Sequence, residues 1–213
     1  MTDSAPERNC LRIPVPEIAE TARLLDAAVT AHNLGATKLA DELIRLADMP
    51  AITEWTESLW GVGGPTSRPV IKVDTSSFLP KERRTALRMP TTAEKRALIA
   101  RDGYHCRFCG IPVVRAEIRS LIRMSYPSAL RWGPRNIDQH AAFQGMWLQY
   151  DHLLPHARGG TNELANLVVS CAPCNNGRAN LTLEEVGISD PRLREPVRSL
   201  WDGLLRFRSA PSV

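Results

Sequence analysis

The sequence predicts an α+β fold: a small strand–loop–strand–helix core clamped by a structural metal ion, preceded by a helical N-terminal region and closed by a C-terminal helix. Three observations carry this expectation. Apolar residues recur at helical spacing through the first sixty residues. Two Cys-x-x-Cys pairs, Cys106/Cys109 and Cys171/Cys174, stand far apart in the chain. Ahead of the second pair, two short apolar runs flank a loop holding Pro155 and Gly159-Gly160.

At 213 residues the chain suits one ordinary domain or two small ones, and 43% hydrophobic with 23% charged residues excludes a disordered chain. No apolar run reaches the roughly 20 residues of a membrane helix, so no membrane partner is expected. The N-terminal MTDSAPERNC lacks a cationic stretch followed by an apolar one, which makes the cytoplasm the expected location. The net charge of +4 is unevenly spread: residues 1–66 hold 5 Lys/Arg against 10 Asp/Glu, net −5, and residues 67–213 hold 22 against 13, net +9. A basic part joined to an acidic one fits a polyanionic partner for the basic part or an ordinary solvated surface.

Residues 15–31 place Ile18, Ala22, Leu25 and Val29 on one helix face, with Pro16, Glu17 and Glu20 suited to a first turn. After Gly35 a second helix aligns Leu39, Leu43 and Ala47, and a third over 51–60 aligns Ile52, Trp55 and Leu59. These stripes predict core packing without recognisable chemistry, and His32 reads as a surface or capping residue. The run GVGGPTSRP at 61–69 marks a boundary, giving a helical region over 1–66 and a basic linker over 67–90. In that linker PVIKV at 69–73 fits a short strand. Residues 80–89 gather Lys81, Arg83, Arg84 and Arg88 within one or two helical turns, which suits phosphate contacts or a solvated linker helix equally.

Thr91 with Glu94 forms a capping box that opens a helix to Arg101 and begins a domain over 91–187. Its insertion, 111–149, holds a helix around 117–124 and then Arg131, Trp132 and Arg135; a nucleic-acid-contacting extension and a cover for the core both fit. The last segment, 188–213, aligns Val197, Leu200, Trp201, Leu204 and Leu205 as a closing amphipathic helix.

Thiolates bind zinc tetrahedrally, and a two-residue gap lets both sulfurs of a pair reach one ion. Cys106, Cys109, Cys171 and Cys174 therefore predict a structural zinc, with a redox dithiol as the rival, and leave Cys10 over. Four thiolates fill such a site, so His105 is not counted as a ligand and the zinc should do no chemistry. The two runs predict strands over 145–154 and 167–170, with a helix starting near Asn175. A neutral imidazole can take a proton from water near pH 7, and a hard divalent cation accepts a carboxylate and an amide oxygen.

The ordered set Asp151-His152, Pro155, Gly159-Gly160, Asn166-Leu167 and Cys171-x-x-Cys174-Asn175 resembles the HNH nucleases, the ββα-metal family, in their four-cysteine zinc-bound form, over residues 92–183. The resemblance implies metal-dependent hydrolysis of phosphodiester bonds in nucleic acid, with double-stranded DNA as the expected partner. It implies that His152 is the general base, that Asp151 and Asn175 hold catalytic magnesium or another divalent cation, and that Asn166 braces the loop aiming His152. Arg158, Arg178, Lys81, Arg83 and Arg84 are the expected nucleic-acid contacts. His156 reads as a solvent-facing loop residue or a further phosphate contact. Asn rather than His at position 175 and the long insertion depart from compact members of the family. The competing readings are an inactive zinc-stabilised nucleic-acid-binding module and a zinc-linked protein that binds a protein partner through its acidic N-terminal region.

Overall fold

The computed structural model of the chain describes residues 8–60, 77–85 and 88–208. The N-terminal helices α1 (Glu17–Asn33), α2 (Thr37–Leu46) and α3 (Pro50–Trp60) form over the expected spans; on α2, however, Ala40 and Ile44 face the core, while Leu39 of the expected stripe is half exposed. Helix α4 (Thr92–Asp102) starts on a reciprocal capping box: the Thr91 N–H donates to Glu94 Oε2 at 2.5 Å and the Glu94 N–H to Thr91 Oγ1 at 3.3 Å. Helices α5 (Ala116–Ser125) and α6 (Ala141–Gly145) belong to the 111–149 insertion. Strands β1 (Leu148–His152) and β2 (Leu167–Cys171) pair antiparallel, with Leu148 opposite Cys171 and His152 opposite Leu167. Helix α7 (Ala172–Arg178) follows β2 directly, completing a strand–loop–strand–helix unit. Among the described residues no helix is long and apolar enough to cross a membrane.

Two five-residue strands and a seven-residue helix cannot cover their own apolar faces. The insertion and the N-terminal helices cover them. One apolar core joins Leu25, Ile44, Ile52 and Trp55 to Leu98, Ile122, Phe143 and Val169. Helix α3 packs on α6 and α7. Just after α2, Asp48 accepts from the Ala141 N–H at 2.7 Å and pairs with Arg131 at 2.7 Å, and His140 Nε2 lies 2.8 Å from the Ile44 carbonyl oxygen. Within the insertion Val113, Val114, Ile118, Ile122, Leu130 and Met146 are buried, so this stretch is a layer of the core. The expected boundary at 61–69 and strand at 69–73 lie outside the described residues.

The expected C-terminal helix does not form: residues 195–207 contain no helical segment. Gly203 and Leu204 take φ of +71° and +63°, which a right-handed helix does not allow. Leu200, in the middle of the supposed stripe, is wholly exposed, while Leu204 and Phe207 are buried. The segment is a strap held residue by residue. Arg198 donates to the Arg101 carbonyl oxygen at 3.0 Å, Trp201 Nε1–H to that of Val113 at 3.0 Å, and Arg206 to Asp26 Oδ1 at 2.6 Å. Between 80 and 89 only the 3-10 turn Lys81–Arg83 forms among the described residues, ended by extended backbone at Arg84. His32 is not a cap: it stacks on Phe207 with ring centroids 4.3 Å apart, and its Nδ1 lies 2.6 Å from the Tyr126 hydroxyl.

A shared core has a consequence for unfolding. Ile52→Ala, at a position with no exposed surface, should cost ~2–5 kcal/mol. Loss of helical circular dichroism and exposure of the buried Cys171 thiol to a thiol reagent should coincide in one denaturant transition. Two separated transitions would show that the N-terminal helices are a unit of their own.

Candidate catalytic cleft and metal cluster

The two cysteine pairs meet at one end of the hairpin. Cys106 and Cys109 lie on a turn closed by the Cys106 N–H to the Ile111 carbonyl oxygen and the Gly110 N–H to that of Cys106, both at 2.9 Å. The Arg107 N–H donates to the Val169 carbonyl oxygen at 2.8 Å, which ties the turn to β2. Cys171 ends β2 and Cys174 lies within α7. All four Sγ atoms fall within 4.8 Å of one another, and those of Cys109 and Cys171 are 3.7 Å apart. A tetrahedral ion with bonds of about 2.3 Å sets its sulfurs roughly 3.8 Å apart, so the cluster fits a four-thiolate metal site. His105 points away from that role, with Nε2 3.3 Å from Ser199 Oγ.

At the other end of the hairpin, where His152 pairs with Leu167, a cleft of about 410 Å³ opens between the hairpin, α7 and the basic linker. Asp151, His152, His156 and Asn175 line it together with Lys81, Arg84 and Arg88. Beneath it lies Arg178, 1% exposed. Its Nη2 donates to Asp151 Oδ1 at 2.5 Å and to the His152 carbonyl oxygen at 2.6 Å, and its Nη1 donates to the Leu181 carbonyl oxygen at 2.6 Å. One guanidinium thus ties the last two residues of β1 to α7 and to the chain beyond it.

Asp151 is buried, and its second oxygen, Oδ2, has no hydrogen-bond partner among the described residues. Burial pushes this carboxyl up to about 6, against the pull of the Arg178 guanidinium. A buried acceptor left alone costs about 1–3 kcal/mol, more when charged. Asp151 lines the cleft, and Oδ2 is the oxygen it has left to offer a ligand there. Asn175 lines the same cleft three residues before Arg178, so a carboxylate and an amide face one space, a donor set that suits a hard divalent cation.

His152 Nε2 lies 2.8 Å from Asn162 Oδ1, and Asn162 Nδ2 donates to the Met89 carbonyl oxygen at 3.1 Å. With the amide nitrogen engaged by a carbonyl, the oxygen faces the ring and accepts. The imidazole proton is then on Nε2, and Nδ1 keeps its lone pair. Burial lowers the His152 pKa, and His156, Arg88 and Arg178 push the same way against the Asn162 hydrogen bond, which favours the neutral ring.

The loop behind His152 is braced by Asn166. Its Oδ1 accepts from the Leu154 N–H at 2.8 Å, and its Nδ2 donates to the carbonyl oxygens of Leu154 at 3.2 Å and Thr161 at 2.9 Å. A Cβ on Gly160 would lie 1.8 Å from the Leu154 carbonyl oxygen, so only glycine lets the loop close this tightly. The linker crosses the same loop. The Leu79 N–H donates to the Ala157 carbonyl oxygen at 2.9 Å, His156 Nε2 lies 2.8 Å from the Thr85 carbonyl oxygen, and the Phe78 ring covers the Arg158 guanidinium at 4.3 Å. This places Lys81, Arg84 and Arg88 at the edge of the cleft.

The residues singled out in the sequence divide accordingly. Asp151, His152, Asn175, Lys81 and Arg84 share the cleft, Asn166 lies in its supporting loop, and Arg83 is exposed outside the lining. Arg158 and Arg178 differ from the expectation of phosphate contacts. Arg158 is 8% exposed, holds Glu185 through two hydrogen bonds of 2.9 and 2.8 Å and donates to the Asn180 carbonyl oxygen at 2.9 Å. Each arginine is engaged by a carboxylate 27 positions away, a pairing that spacing does not reveal. Sequence reasoning passed over Asn162, whose only signal was an amide following Gly-Gly-Thr in the loop after His152.

Residues 138–180 match the family model described as HNH endonuclease. No curated protein and no solved structure matches the chain significantly.

The burial of Arg178 makes a distinct prediction. Arg178→Ala should destabilise the protein by ~3–5 kcal/mol in denaturant unfolding, because Asp151 is left buried without its partner. A stability equal to that of the unaltered chain would mean that the guanidinium is not the support described.

Proposed function

We propose that the protein is a metal-dependent endonuclease hydrolysing phosphodiester bonds of double-stranded DNA, a reading supported by the match of residues 138–180 to the HNH endonuclease family model and by their strand–loop–strand–helix framework. One observation carries the reading: a neutral imidazole, a buried carboxylate oxygen without a donor and an amide converge on one basic cleft.

In this reading His152 Nδ1 takes the proton of the attacking water while Nε2–H stays on Asn162. Asp151 Oδ2 and Asn175 hold magnesium or another hard divalent cation, which when bound neutralises charge on the phosphate and the departing oxygen. Asn166 keeps the loop closed behind His152. Lys81, Arg84 and Arg88 meet the phosphate backbone at the cleft edge, with the exposed Arg83 beside them. Arg178 and Arg158 hold the scaffold from below. Zinc in the Cys106/Cys109/Cys171/Cys174 cluster clamps the hairpin to the rest of the domain and takes no part in the chemistry.

The test is plasmid cleavage across a metal titration. The protein purified without added metal should carry one zinc per chain and cut plasmid on addition of magnesium or manganese. His152→Ala should lose about a hundredfold or more of the rate with zinc content and melting temperature unchanged. Asp151→Asn should lose activity that high manganese partly restores. Plasmid left intact at every metal concentration, or His152→Ala cutting like the unaltered chain, would overturn the reading.

A further inference from the structure

We propose that Asn162 is a positioning residue for this reaction: it holds the His152 imidazole in one tautomer and ties it to the basic segment that walls the cleft. The proposal rests on the nuclease reading above and adds to it a residue outside the ordered set of motif positions.

The geometry is a two-step chain. Asn162 Oδ1 is 2.8 Å from His152 Nε2, and Asn162 Nδ2 is 3.1 Å from the Met89 carbonyl oxygen. Because the amide has one acceptor end and one donor end, the Met89 contact decides which end faces the ring. An acceptor facing Nε2 stabilises the ring with its proton there. Were the proton on Nδ1 instead, the ring would have no lone pair at the nitrogen assigned to the water. A neutral imidazole without such a partner divides its proton between the two nitrogens, and only one form is competent.

The anchor is itself held on both sides. Asn162 follows Gly160 and Thr161, whose turn is held by the Asn166 amide donating to the Thr161 carbonyl oxygen and by the Gly160 N–H donating to that of Pro155. Met89 follows Arg88, which lines the cleft. The phosphate-facing Arg88 and the carbonyl that orients the anchor are therefore consecutive on one backbone segment. That segment is fastened to the catalytic loop at Leu79 and Thr85. A residue that merely filled the loop would not need its amide aligned between ring and segment in this sense.

Two variants separate positioning from structural support. Asn162→Leu keeps the approximate volume and removes the acceptor; Asn162→Asp keeps an acceptor oxygen toward the ring. Both are compared with the unaltered protein at one pH where the ring is neutral. The readouts are the imidazole ¹⁵N spectrum, kcat and KM on DNA, zinc content and melting temperature. The His152 resonances are identified as those missing from His152→Ala. The unaltered ring should show protonated Nε2 and bare Nδ1. Asn162→Leu should mix the tautomers and lower kcat about 10–100-fold, with KM nearly constant. Asn162→Asp should retain the tautomer and most of kcat.

An unchanged ring spectrum and kcat in Asn162→Leu would overturn the proposal, as would a loss that follows only a lower melting temperature with the tautomer intact. Should the unaltered protein cut no DNA while Asn162→Leu still mixes the tautomers, the nuclease reading fails and the anchoring of the ring stands.

Discussion

The site depends on the buried pair between Arg178 and Asp151. Taking two charges out of water costs several kcal/mol per ion, recovered only when the geometry is close and the remaining hydrogen-bonding capacity is used. Arg178 meets that condition in part: its two Nη atoms also donate to the carbonyl oxygens of His152 and Leu181, while its Nε and Asp151 Oδ2 have no hydrogen-bond partner among the described residues. The same contacts fix the backbone that carries His152 and the helix that carries Asn175. They leave Asp151 with one engaged oxygen and one buried oxygen without a partner among the described residues, the atom that the proposed reading assigns to a cation.

The hairpin is held at both ends by different chemistry. At one end Cys171 stands opposite Leu148 and joins the four-sulfur cluster; at the other His152 stands opposite Leu167 above Arg178. Two short strands gain little stability alone. Their rigidity comes from these two anchors and from a core to which α1–α3 and the insertion contribute. The N-terminal helices are thus part of the platform on which the cleft is built.

Much of this was legible because the informative signals are local. Capping of α4 needs only Thr91 and Glu94, and each cysteine pair announces itself by a two-residue gap. His152 at a strand end before Pro155 and Gly159-Gly160 marks the loop that borders the cleft. What stayed hidden depends on partners distant in sequence. Arg158 and Arg178 look like surface cations until Glu185 and Asp151 are seen beside them. The apolar spacing over 195–207 suggests a helix because periodicity ignores the backbone, and the positive φ at Gly203 and Leu204 rules it out. Asn162 gains meaning only from Met89 and His152 on its two sides.

The claim at the centre is that Asp151 Oδ2 and Asn175 hold a divalent cation distinct from the zinc in the sulfur cluster. Anomalous scattering from crystals soaked in manganese measures it directly. The account predicts two separate peaks, one zinc peak among the four sulfurs and one manganese peak within bonding distance of Asp151 Oδ2 and the Asn175 side chain. Manganese absent from Asp151 in crystals whose cleft is open to solvent would contradict it.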